Sequence, residues 1–177
     1  WRWAQFDMDH GLSDWGKPQY DLLAQTLDGS AQGYGPHPLL VELIKNQRFR
    51  KLFINTYADW LNTRFNTTVA LARFDAMKVE LDPHIAEFDH RWPNTHDWAA
   101  GTAYGRDLVA QRTALRFTQL RNRFSLGQFR HVSLQADAAK GLIQCNSIAI
   151  DENTPGVAGN PYPWDGDYFQ NLPIDLT

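Results

Sequence analysis

A chain of 177 residues with 43% hydrophobic and 21% charged side chains can bury a core of ordinary size, and its composition excludes a disordered or fibrous protein. Its 17 basic and 20 acidic residues leave a formal net charge of -3, so no global field favours polyanions and nucleic acid is not an expected partner. The single cysteine, Cys145, excludes an internal disulfide and a cysteine-based zinc site, and no apolar run approaches the roughly 20 residues of a membrane span.

The first stretch, Trp1-Arg2-Trp3-Ala4-Gln5-Phe6-Asp7, alternates bulky and polar side chains and predicts a short strand. It runs into a loop, Asp7 to Gly16, crowded with short polar residues and two glycines. The chain opens without a methionine and reads as part of a longer one. Residues 28–38 are rich in glycine and proline and predict a surface loop. Helical spacing begins at Leu39 with Leu40, Leu43 and Ile44, and Asn46 offers the N-cap of a second helix. In that helix Phe49, Phe53, Tyr57 and Trp60 recur as an aromatic stripe expected to face the core. Asn66-Thr67-Thr68 can cap a third helix with Ala72, Met77, Leu81, Ile85, Phe88 and Trp92 inward, broken near Asp82 by Pro83. A fourth helix is predicted from about Asp97 to Arg123, with Leu108, Leu115 and Leu120 inward and Arg112, Arg116 and Arg123 on a solvated face.

After Gly127 the helical period gives way to alternation. Residues 132–136, 142–145 and 148–150 predict short strands, with Asn146-Ser147 between the last two. Residues 154–166 read as a proline-rich loop, and 172–176 as a further strand. The expected fold class is therefore α+β: a mostly helical body over 38–123, a short N-terminal strand and a small β-rich C-terminal segment. The expected division is 1–127 and 128–177.

The residues with the strongest claim to chemistry are Asp7 and Asp9, which flank Met8 where the first strand ends. Two carboxylates at i and i+2 can share a magnesium ion, which prefers hard oxygen ligands, although the same pair can simply stabilise a turn. His10, His84, His90 and His96 lack ligand spacing, and Cys145 in an apolar strand reads as inert core.

Several of these pieces together resemble a known family. Trp3-Ala4-Gln5-Phe6-Asp7-Met8-Asp9-His10-Gly11 with Trp15-Gly16, then Asn46-Gln47-Arg48-Phe49-Arg50, Tyr57-Ala58-Asp59-Trp60-Leu61-Asn62, Arg91-Trp92, Trp98 and Arg112, are similar to the spore-coat CotH kinase family. The resemblance covers roughly residues 1–124 and implies the C-terminal part of an atypical kinase-like domain. It implies ATP and Mg2+ as cofactors, Asp7 as the metal-holding catalytic aspartate with Asp9 beside it, and a protein substrate for phosphorylation. In the family, a further catalytic aspartate and the phosphate-holding basic residues precede the Trp-rich strand, so the chain by itself is expected to be inactive. Gly141-Leu142-Ile143-Gln144-Cys145-Asn146, Trp164-Asp165-Gly166-Asp167-Tyr168-Phe169 and Pro173-Ile174-Asp175-Leu176-Thr177 resemble the start of a β-rich module that trails this domain in secreted bacterial proteins. That resemblance implies a cell-surface or secreted location and association through the β segment. Two other readings stand beside the kinase one: a noncatalytic surface or coat scaffold, and a carbohydrate-associated module suggested by 7 tryptophans.

Overall fold

The computed structural model describes residues 18–29, 35–93 and 97–177. The strand and loop expected over residues 1–16 lie outside them. The described chain is α+β and mostly helical, as its periodicity requires. Its helices are Leu22–Asp28 (α1), Pro38–Lys45 (α2), Gln47–Asn62 (α3), Thr67–Leu81 (α4), Ile85–Arg91 (α5) and Trp98–Arg123 (α6). Its strands are Phe129–Leu134 (β1), Gln144–Cys145 (β2), Ile148–Ala149 (β3) and Trp164–Phe169 (β4).

Local signals set the helix ends. The Asn46 side chain accepts from the Phe49 backbone N–H at 3.1 Å, so one residue ends α2 and caps α3. Asp97 does the same for α6 through Ala100 N–H at 2.9 Å. Pro83 sits in a 3-10 turn, Asp82–His84, that separates α4 from α5. The helix α1 lies in a stretch with no helical signal of its own beyond its cap: Asp21 accepts from Ala24 N–H at 3.0 Å, and Leu23 and Leu27 are buried.

The chain falls into two compact units. In the first, which includes Thr67–Leu115, Gly105 lets α6 approach α4 closely, since a Cβ there would stand 3.1 Å from the Phe74 ring. Arg106 makes a two-point pair with Asp75 at 2.9 and 3.2 Å. Asp82 accepts from Lys78 at 2.8 Å and from the Trp98 indole N–H at 2.7 Å, and the Lys78 hydrogen bond holds its carboxyl below the usual range. The inward face expected for the third helix is not the covered one. Ala72, Met77, Leu81, Phe88 and Trp92 are exposed and Ile85 is half-buried, while on α4 the half-buried residues include Leu71, Phe74, Asp75 and Lys78. Apolar residues all round α4 leave its period ambiguous, and the close approach at Gly105 decides its orientation.

The second unit joins Asp21–Asn66 to Arg116–Thr177 around one apolar cluster. From the helices come Leu23, Leu27, Ile54, Ala58, Leu61, Phe117 and Leu120; beyond Gly127 come Leu134, Cys145, Ile150, Tyr162, Trp164, Tyr168 and Phe169. Residues on both sides of the change in element type at Gly127 therefore share one core. The aromatic stripe of α3 lies beside the core-facing stripe: Phe53 and Tyr57 pack on the cluster's margin, while Trp60 is 49% exposed and meets Phe65 and Arg64 instead. Arg116, expected on a solvated face, is buried and donates to the Gln119 side chain.

Strands β1 and β4 pair antiparallel, from Phe129 opposite Phe169 to Leu134 opposite Trp164. The segment expected to be a loop is thus a strand in part. Trp164, Gly166 and Tyr168 turn inward while Asp165 and Asp167 face water, a period-two pattern disguised by its glycine and aspartates. The Phe129–Phe169 pair, with centroids 5.4 Å apart, packs on Phe117. Strands β2 and β3 form the expected hairpin about Asn146-Ser147, with Asn146 at φ 47°. Tyr162 ties its open end by accepting from Ile143 N–H at 2.5 Å and donating to Ile150 C=O at 3.1 Å. The strand expected over 172–176 is reduced to one bridge, Leu176 with Cys145.

Candidate functional site

Asp7, Asp9 and His10 lie outside the described residues, as does His96. His84 and His90 are exposed. Among the described residues no group of three or more histidine, cysteine or carboxylate side chains is placed to hold a metal ion. No helix among them is long and apolar enough to cross a membrane.

The most organised polar site in the second unit begins on α3. Asn55, Asp59 and Asn62 recur at helical spacing, next to the buried Ile54, Ala58 and Leu61. All three reach the C-terminal segment. Asn55 donates to Asn146 Oδ1 at 3.2 Å and to Pro173 C=O at 3.0 Å. Asn62 acts as a strand would: its amide accepts from Asp167 N–H and donates to Asp167 C=O, both at 2.9 Å. Asp59, with no exposed surface, is the centre. Its Oδ1 accepts from the Tyr168 hydroxyl at 2.8 Å and Asn146 Nδ2 at 3.1 Å; its Oδ2 accepts from Ser147 N–H at 2.9 Å and the Ser147 hydroxyl at 2.6 Å.

Four donors for two oxygens satisfy a buried carboxylate without a cation. The same saturation leaves Asp59 no lone pair aimed at solvent, so it is an anchor and not a general base. The single proton of the Tyr168 hydroxyl goes to Asp59, so the Cys145 thiol, 3.4 Å away, is the donor of that pair. Burial pushes the Cys145 thiol up and keeps it unreactive.

Burial, and then the charge of Asp59, hold the Tyr168 phenol far above its ordinary value. An unfolded tyrosine loses its proton near pH 10, whereas the folded one keeps it, so this stabilisation is complete below about pH 10 and is lost as pH rises further. Urea midpoints measured from pH 8 to 11 should fall at the alkaline end, and Tyr168→Phe should remove that part of the slope. An equal slope in the variant would dissociate Tyr168 from alkaline stability.

A second feature of this unit is an open cavity of about 560 Å3 beside α2 and α3, with Leu43, Phe49 and Leu52 on its apolar side and Arg48, Lys51 and Asp175 among its polar residues. Lys51 pairs with Asp175 at 2.7 Å.

Fold and site together define an α+β chain in which a polar stripe on one helix fastens a β-rich segment. The family model described as CotH kinase protein matches residues 1–116, and the chain belongs to that family. No curated protein and no solved structure shows significant similarity to it. The matched region contains Asp7, Asp9 and the whole polar stripe of α3; the partners of that stripe at Asn146, Ser147, Asp167, Tyr168 and Pro173 lie beyond it. In the sequence, Asp59 and Asn62 stand out only as part of the family-like stretch Tyr57 to Asn62. The available signal was their helical spacing beside an aliphatic face.

Proposed function

We propose that the protein is an atypical phosphotransferase that uses ATP and Mg2+ to phosphorylate a protein substrate, with the chain supplying the Asp-x-Asp loop and the helices behind it. The observation that carries this reading is the family match, which takes in Asp7-Met8-Asp9. The donor chemistry fits: two carboxylates at i and i+2 are the hard oxygen ligands that magnesium prefers, with phosphate oxygens to complete its shell. Asp7 and Asp9 would hold the ion, which supplies neutralisation of the charge that develops on the phosphates during transfer. The same reading puts the protein at the bacterial cell surface or in the secreted fraction.

The test is made on the full-length protein. Asp7→Asn keeps the side-chain shape and one acceptor oxygen but removes the negative charge, so magnesium-dependent transfer of labelled phosphate should fall by on the order of a hundredfold. Asp9→Asn should cost a similar or smaller factor. Thermal melts of both variants should match wild type. If folded Asp7→Asn keeps full activity, the metal role is wrong; if the wild type transfers no phosphate under any divalent ion, a noncatalytic surface scaffold becomes the better reading.

A further inference from the structure

We propose that the trough between α2 and the first turns of α3 docks an acidic amphipathic segment of a partner protein. The cavity there, about 560 Å3, offers an apolar wall from Leu43, Phe49 and Leu52. Leu43 and Leu52 remain 38% and 58% exposed, and Leu39, one turn back on α2, 51%. An apolar patch of this kind rimmed by charge is what an amphipathic segment covers with its hydrophobic face.

The rim gives the partner's sign. Of the charged residues that line the cavity, Lys51 is answered by Asp175, whereas Arg48 makes no ion pair among the described residues. The excess is therefore positive in a chain whose total is -3, and acidic side chains flanking an apolar stripe complement it. A free small anion would use Arg48 and leave the leucines wet. The walls are also set in advance: Asn46 fixes the bend between the two helices, and Asn55 and Asn146 are held by hydrogen bonds to each other and to the backbone at Pro173 and Asp175. A fixed trough loses little entropy on binding.

The probe is a fluorescein-labelled peptide with leucines at helical spacing and glutamates elsewhere, titrated with the 177-residue chain and read by anisotropy. Saturable binding is expected that weakens with salt, and Arg48→Glu and Leu52→Ser should each weaken it about tenfold while leaving the melting temperature unchanged. Two control peptides share the probe's length. One with scrambled leucines and one with lysine for glutamate should bind at least about tenfold less tightly. The proposal is overturned if the probe does not bind, if the scrambled peptide binds equally, which would reduce the effect to charge alone, or if folded Leu52→Ser and Arg48→Glu bind as wild type does.

Discussion

Asp59→Ala should lower the stability by about 3–5 kcal/mol, the largest effect expected of any single substitution discussed for this chain. The substitution removes little apolar packing; its cost comes from the groups left behind. The Tyr168 hydroxyl, Asn146 Nδ2, Ser147 N–H and the Ser147 hydroxyl all point at the vacated carboxylate. Each buried donor without an acceptor costs about 1–3 kcal/mol, less where water can enter, as it can at the exposed Ser147. Asp59→Asn tests shape against charge. It fills the same space but presents an NH2 group to donors, so it should recover only part of the loss. Urea denaturation is the measurement: the midpoint should fall sharply at unchanged slope. A wild-type midpoint in Asp59→Ala would show that the network contributes nothing net to stability.

Deletion of residues 128–177 should abolish cooperative unfolding of what remains of the second unit. Seven of the fourteen buried members of the second unit's cluster lie in that segment, so Ile54, Ala58, Leu61, Phe117 and Leu120 would lose their cover together. The polar stripe of α3 would be stripped at the same time, leaving Asp59 against water on a helix whose other side is apolar. The truncated chain should keep far-ultraviolet helical signal, lose near-ultraviolet signal and bind a hydrophobic dye. The experiment also decides the division at Gly127 drawn from element type. An undiminished cooperative melt of residues 1–127 would establish the tail as a separate folding unit.

The two experiments separate structure from activity. Asp59 and the tail act on folding in the second unit, whereas Asp7 and Asp9 carry the proposed metal chemistry. A phosphotransfer defect with normal melts, and a melting defect at Asp59, would assign the two sets of carboxylates to different work.

What the sequence determined by itself are the features whose physics is local. Asn46 and Asp97 cap helices because a short side-chain acceptor reaches an N–H three residues on, and Pro83 breaks one because it lacks a donor. The β2–β3 hairpin follows from Asn146, a residue that tolerates positive φ. Family membership was legible too, since many short motifs agree in order along residues 1–116.

Only the tertiary structure decided which helix faces are covered and which polar groups meet. On α3 an aromatic stripe and an aliphatic one lie side by side, and periodicity cannot choose between them; packing against the tail selects Ile54, Ala58 and Leu61. Strand β4 needs β1 as its partner, about 36 residues earlier in the chain, before Trp164-Asp165-Gly166-Asp167-Tyr168-Phe169 can be told from a loop. An aspartate in the last turn of a helix, even beside an aliphatic face, does not show in the sequence which donors will meet it. The partners of Asp59 are 87 to 109 residues away, and its desolvation becomes tolerable only when the fold brings all four donors to it.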